Sequence, residues 1–240
     1  MATGPKIAFV AAAGLGKRMR PLTATAPKPL IEVKGKSLID YGLDTLAAAG
    51  VTSAVVNVHY FPDLLEIHLA KRNMPQIVIS DERDQRLETG GGVKKALDQL
   101  GKEPFFYLNS DSFWIEGVKP NFQLLAETWD PEKMDCLLLL ASTVKAAGFH
   151  ERGDFSIEPD GRLKRREESV IAPFAYAGAA IINPRIFDET PNGPFSMNVV
   201  FDRALADGRL FGAQMEGIWI HVGTPEAIAE AEYAIDNSLS

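Results

Sequence analysis

Apolar residues in this chain fall into short unbroken runs that alternate with longer stretches in which they recur every three or four positions. Residues 6–13 are a run of the first kind, apolar after Lys6, and predict a strand buried on both faces. In 37–49, Leu38, Leu43 and Leu46 share one side and Gly50 follows as a stop, which is the pattern of an amphipathic helix. A strand over 53–58, a helix over 62–72, an extended segment over 76–81, a helix over 92–100 and an all-apolar strand over 105–111 continue the alternation. That order makes a mostly parallel sheet with helices on both faces. A buried strand over 136–142 comes next. Further on, 154–157 and 162–166 flank Pro159, Asp160 and Gly161, a turn signal between two short antiparallel strands. Strands over 174–182, 210–215 and 218–222 follow, and the last helix runs over 225–237 with Thr224 as N-cap and Pro225 at its first position. The expected fold is α/β, a doubly wound, mostly parallel sheet in one domain over 1–240, with a small antiparallel hairpin subregion at about 150–182.

Composition narrows the function. With 240 residues, 46% of them hydrophobic, the chain can bury a sizeable core. No apolar run approaches the roughly 18 residues of a membrane span. The run opened by Lys6 ends in glycine without a cleavage-site pattern, so no signal peptide is expected. The single cysteine, Cys136, allows no intrachain disulfide and no cysteine-clustered metal site, which suits a cytoplasmic protein. A net charge of −7 argues against nucleic-acid binding, which draws on many Lys and Arg contacts.

Against that acidic background residues 14–36 stand out, carrying Lys17, Arg18, Arg20, Lys28, Lys34 and Lys36 against the single acid Glu32. An anion site is indicated at the carboxyl end of the first strand, where open α/β sheets bind ligands. Gly14 and Gly16 let backbone N–H groups approach an anion, and Arg18 offers a planar fork to phosphate oxygens. The glycines alone fit a plain turn with solvated basic neighbours equally well. A dinucleotide fingerprint lacks its third glycine, since Met19 stands there, and this loop holds no Gly-Lys-Ser or Gly-Lys-Thr as a Walker loop requires, Gly16-Lys17 being followed by Arg18. Farther along, Leu87-Glu88-Thr89-Gly90-Gly91-Gly92 leads into a helix, either as a simple entry loop or as bare backbone lining a flat base. Asp111 ends an otherwise apolar strand at the same sheet edge, either capping a loop or holding a metal.

The string Ala12-Ala13-Gly14-Leu15-Gly16-Lys17-Arg18-Met19-Arg20-Pro21-Leu22-Thr23, followed by Pro27-Lys28-Pro29-Leu30, resembles the signature of the sugar-1-phosphate nucleotidyltransferases. The resemblance runs from this loop to Trp219-Ile220-His221-Val222-Gly223-Thr224-Pro225, and the Glu-Thr-Gly-Gly-Gly form is similar to the short uridylyltransferases acting on N-acetylmuramate α-1-phosphate in cell-wall recycling. It implies UTP and a sugar 1-phosphate as substrates, a UDP-sugar and pyrophosphate as products, Mg²⁺ as cofactor, a monomer or small homo-oligomer, and no β-helix domain. It also implies site residues: Arg18, Lys28 and Asp111 for catalysis, and Ala12 to Arg18 with Thr89, Gly90 and Gly91 around the nucleotide. Asp111 and His221 are implied at the metal, and Asn109, Gly153, Asp154, Glu168 and Gly178 at the sugar. His221 replaces the family's aspartate or asparagine, and imidazole is an uncommon Mg²⁺ ligand. Direct ligation, ligation through water, a phosphate contact and no role at all stay open for it.

Tyr176-Ala177-Gly178 stands where hexosamine enzymes of the family carry Asn-x-Gly. The strand bearing Arg162, Lys164, Arg165 and Arg166 runs directly into Glu167 and Glu168, so these cations either read the extra carboxylate of a muramate or pair with their acidic neighbours. His59, His68 and His150 have no partners at ligand spacing, and no serine sits in a nucleophile elbow. The rival readings are a guanylyl-, thymidylyl- or cytidylyltransferase acting on mannose, glucose or another sugar 1-phosphate, an enzyme acting on a non-sugar phosphate, and a non-catalytic nucleotide-sugar sensor.

Overall fold

A computed structural model describes residues 4–238. The elements in chain order are β1 (Ile7–Ala11), β2 (Glu32–Val33), β3 (Lys36–Ser37), α1 (Leu38–Ala48), β4 (Ser53–Val58), α2 (Pro62–Leu69) and β5 (Gln76–Asp81). There follow α3 (Glu88–Lys95), α4 (Leu97–Leu100), β6 (Phe105–Asn109), β7 (Ser112–Ile115), α5 (Asn121–Thr128) and β8 (Cys136–Ser142). The remainder are β9 (Phe155–Ile157), β10 (Leu163–Arg165), β11 (Phe174–Ile182), α6 (Met197–Ala206), β12 (Leu210–Gln214), β13 (Ile218–His221) and α7 (Glu226–Ser238).

Strands β5, β4, β1 and β6 lie side by side and parallel, and β11 then adds antiparallel to β6. Beyond it, β8 pairs antiparallel with β11 and β12 parallel with β8, while the β9–β10 hairpin attaches through Phe155 opposite Phe174. The chain winds outward from β1 through β4 to β5 and then crosses to β6 on the other side of β1. The carboxyl ends of β1, β4 and β6 therefore flank the switch point where such sheets open a crevice.

Both faces of the sheet are covered because neighbouring strand residues point to opposite sides. One core gathers Ala8, Val10, Val56, Phe106, Leu108 and Leu139 under α1, α2 and α5, and the other gathers Phe9, Val55, Tyr107, Leu138 and Ile182 against α3 and α6. Helix α1 begins where expected, since the Ser37 side chain accepts from Asp40 N–H.

Three differences from the sequence reading bear on the crevice. The strand expected over 105–111 stops at Asn109; Ser110 and Asp111 form a tight turn, and the chain passes into β7, which pairs with β13 in a separate two-stranded sheet. The helix expected from Gly92 begins at Glu88, so three glycines lie inside it. Glycine normally costs a helix interior about 1 kcal/mol, but any side chain at Gly90 or Gly91 would overlap Phe195 or Gly193, so packing overrides propensity. Lastly, β11 carries a bulge between Tyr176 and Ala180, where Gly178 at φ +80° turns the strand; a Cβ there would lie 3.2 Å from Asn109 Nδ2. Away from the crevice, helices α5 and α6 have no counterpart in the sequence reading.

Candidate active site

Three adjoining hollows open along the crevice, and Asp111 lines all of them. The first, about 330 Å³, is lined by Ala12, Ala13, Asn57, Arg86, Glu88 and Thr89 among others. The second, about 340 Å³, runs along Gly14 to Met19 with Lys28, Arg86 and Gly223. The third, about 260 Å³, is bounded by Arg18, Asn109, Glu151, Asp154, Gly178 and His221. The three follow one another along the crevice, the first two sharing Gly14, Lys28 and Arg86 and the last two sharing Arg18.

The loop after β1 is held from behind. Thr23 Oγ1 donates to Gly16 O at 2.8 Å, and Gly16 sits at φ +58° with its Cα facing Thr23 and Lys28 so closely that a Cβ would be 2.9 Å from one and 3.0 Å from the other. Leu15, Gly16, Lys17 and Arg18 thereby border the second hollow, and Arg18 reaches into the third as well. Its guanidinium lies 3.9 Å from Glu151 with both side chains well exposed, a contact too solvated to fix it.

Lys28 is held more firmly. It opens a single 3₁₀ turn between Pro27 and Pro29, its residue is 9% exposed, and Nζ donates to Asp111 Oδ2 at 2.7 Å. Burial would raise the Asp111 carboxyl, yet the Lys28 ammonium and then His221 outweigh it and hold the group below the usual carboxylate range. Asp111 is therefore ionised at neutral pH. Burial, the largest influence on His221, lowers the imidazole below its ordinary value, and Lys28 and Arg18 add to that against the pull of Asp111. His221 is neutral at pH 7 and can offer a nitrogen lone pair. It is brought to Asp111 by the β7–β13 pairing, in which His221 stands opposite Ser112, and Val222 N donates to Asp111 O at 3.3 Å.

Of the residues expected at a sugar, Asn109, Asp154 and Gly178 come together in the third hollow. Asp154 Oδ2 accepts from Tyr176 N–H at 2.8 Å, and Tyr107 donates to Asn109 Oδ1 at 2.8 Å, which directs the amide nitrogen away from that hydroxyl. Gly153 is buried behind this wall at φ +73°, and Glu168 is exposed and borders none of the three hollows.

The basic strand is committed elsewhere. Arg166 donates through Nε to Gly153 O at 3.0 Å and through Nη1 to Glu167 O and Glu168 O, Arg165 pairs with Asp202 at 2.5 Å, and Lys164 with Glu158 at 2.5 Å. Arg162 pairs with Asp160 at 3.1 Å. These cations are framework rather than free charge. Gly90 and Gly91 likewise spend their N–H groups on Phe195 O, at 2.8 and 3.1 Å, so from that loop Arg86, Glu88 and Thr89 face the crevice.

Sequence reasoning passes over Asn57, Arg86, Glu88, Phe149 and Glu151. Arg86 and Glu88 stand next to the Thr-Gly-Gly-Gly string and are legible as charges there; Asn57, inside an apolar strand, gives only the signal of a polar residue in a run that should bury it.

Residues 7–149 match the nucleotidyl transferase family model, and the chain belongs to that family. It is 52% identical over 97% of its length to the N-acetylmuramate alpha-1-phosphate uridylyltransferase of Caulobacter vibrioides, covering 98% of that protein. Against the protein of the same name from Neisseria meningitidis serogroup B the identity is 34% over 94% of this chain and 96% of the relative. Among solved structures, the inositol-1-phosphate CTP transferase from T. maritima superposes with a TM-score of 0.77 at 18% identity, over 97% of this chain and 96% of that one, a likeness of fold.

Proposed function

We propose that this protein transfers the uridylyl group of UTP to N-acetylmuramate α-1-phosphate, releasing pyrophosphate, and that 1–240 acts as one nucleotidyltransferase unit in the cytoplasm. The observation that carries the substrate choice is the 52% identity across 97% of the chain to a protein of that activity. The three hollows joined at Asp111 supply the matching geometry: base and ribose by Ala12, Ala13 and Thr89, triphosphate along Gly14 to Arg18, and sugar phosphate against Asn109, Asp154 and Gly178.

A phosphate monoester has its second pKa near 6, about one unit below neutral pH, so the sugar phosphate needs no side-chain base. One of its oxygens forms a bond to the α-phosphorus of the nucleotide as the bond from that phosphorus to the bridging oxygen breaks, and pyrophosphate leaves with the electron pair. The protein's task is to align the two phosphates and neutralise charge. Lys28, fixed by its prolines and by Asp111, faces the reacting centre; Arg18 takes the departing phosphates in a fork.

Mg²⁺ fits the donor set as an ion bound through few protein ligands and completed by phosphate oxygens. Among the described residues there is no cluster of three or more acidic, histidine or cysteine ligands, and Asp111 with neutral His221 would hold the ion beside the phosphates. It would supply charge neutralisation of the transferred group.

The test is pyrophosphate release with UTP, GTP, CTP and dTTP, each against N-acetylmuramate, N-acetylglucosamine, glucose and mannose 1-phosphates. Turnover concentrated on UTP with the muramate is the expected result. Preference for another pair would replace both substrate assignments.

A further inference from the structure

The crevice rests on a buried carboxylate that takes no part in the chemistry above. Glu82, 1% exposed, follows β5 and touches none of the three hollows. Its Oε1 accepts from Asn57 Nδ2 at 2.8 Å and its Oε2 from Leu87 N–H at 3.0 Å. Asn57, 2% exposed near the end of β4, in turn accepts through Oδ1 from Ala12 N–H at 2.7 Å and Ala13 N–H at 3.2 Å.

The polarity of this chain is forced. Two backbone N–H groups can only donate, so the asparagine oxygen must face them; its NH₂ must then face Glu82, which alone among side chains of that shape accepts at both ends. The result is an unbroken line from the first residues of the phosphate loop to the residue before Glu88. Glu88 turns at φ +60° to start α3 and, with Thr89, lines the base side of the crevice. Gly92 closes over the line: a Cβ on it would lie 2.7 Å from Glu82 Oε1 and 2.8 Å from Asn57 Nδ2. Low local dielectric makes every link costly to leave unmade.

We infer that Glu82 is a positioning residue that, through Asn57, sets the separation of the phosphate loop and the base-facing loop and so determines nucleotide affinity. The inference rests on the nucleotidyltransferase reading and names what tunes its donor compartment. The sugar compartment, built from 109–112, 149–154, 176–178 and 219–221, hangs on other hydrogen bonds.

Glu82→Gln keeps size and shape but offers an NH₂ to one of two donors. It is expected to weaken triphosphate binding, and raise its KM, about tenfold while the KM of the sugar phosphate stays within about twofold. Asn57→Asp combined with Glu82→Gln moves the carboxylate one link along and re-pairs every donor. The carboxylate then at position 57 accepts from the two loop amides and from the new side-chain NH₂ at position 82, whose carbonyl oxygen accepts from Leu87 N–H. Nucleotide affinity should return. Calorimetry with whichever of four triphosphates the wild-type protein binds most tightly reads affinity apart from turnover, and thermal melting reads stability. Equal rises in both KM values, a lowered Tm with unchanged nucleotide affinity, or a double variant no better than Glu82→Gln would overturn the inference. Should Glu82→Gln fail to fold, the double variant alone decides, by binding nucleotide within about threefold of wild type or not. A wild-type protein that binds a triphosphate other than UTP defeats the uridylyl reading and leaves this test intact, whereas one that binds none overturns both.

Discussion

Lys28 and Asp111 stand 83 positions apart in the chain, yet Nζ and Oδ2 meet at 2.7 Å where the three hollows join. The pair ties the segment after β1 to the turn after β6, and so fixes an ammonium shared by the first two hollows against a carboxylate shared by all three.

Asp111→Asn should remove most turnover and leave the fold intact. The amide oxygen still accepts from Lys28, but the negative charge that would draw a divalent ion is gone. A fall in kcat of about 100-fold or more, with a melting curve close to wild type, is the expected outcome, given what a single charge-stabilising group in an active site contributes. Initial rates within threefold of wild type at saturating Mg²⁺ would reject the role.

For His221 the informative change is to aspartate. If the neutral imidazole sits at the metal, His221→Asp supplies a harder oxygen ligand and lowers the Mg²⁺ concentration giving half-maximal rate. A titration curve that does not shift removes His221 from the metal's coordination.

Arg166 gives a third test, of the two readings that its sequence position left open. Bonded to the carbonyls of Gly153, Glu167, Glu168 and Val170, it holds the wall behind Asp154. Arg166→Met should raise KM for N-acetylmuramate 1-phosphate and N-acetylglucosamine 1-phosphate by similar factors. A selective rise for the muramate would mean that the guanidinium reads its carboxylate after all.

Acid stability should depend on Asp40, remote from the crevice. Burial pushes its carboxyl up, but hydrogen bonds from Ser37 at 2.7 Å, His68 at 2.8 Å and Arg72 at 2.7 Å more than compensate, so the net displacement is downward. A carboxylate depressed in the folded state contributes stability above its unfolded value near 3.8 and loses it as pH falls through the lower folded value. Asp40→Asn should therefore lower Tm at pH 7, and the gap to wild type should close below about pH 4. A gap independent of pH would show that the charge is not what matters.

Much of the main sheet was legible because its strands are continuous apolar runs with glycine or turn residues between them: β1, β4, β5, β8 and β11 fall where the pattern places them. The misreadings have local causes. Asp111 looked like a strand end because hydrophobic pattern cannot distinguish a strand that runs on from one that turns within two residues into a separate sheet. The glycines of α3 looked like a loop because propensity knows nothing of Phe195, more than a hundred residues away. The loop 12–18, Lys28 and Asp111 were legible as chemistry through charge in an acidic chain and through the family string. Arg165 and Arg166 were not, since nothing in the strand itself tells that Asp202 and four carbonyls wait to engage them.

The order in which the three hollows are supplied by the chain has a practical consequence. The first two hollows draw on residues 11–111 and Gly223, while the third, apart from Arg18 and the 109–112 turn, draws on 149–221. Under the proposed function, donor and acceptor recognition are written in nearly separate stretches that meet at the turn after β6. On that reading, a chimera that keeps 1–142 and takes a relative's counterpart of 143–221 is expected to exchange the acceptor while preserving the donor, making this chain a natural host for recombining sugar specificities.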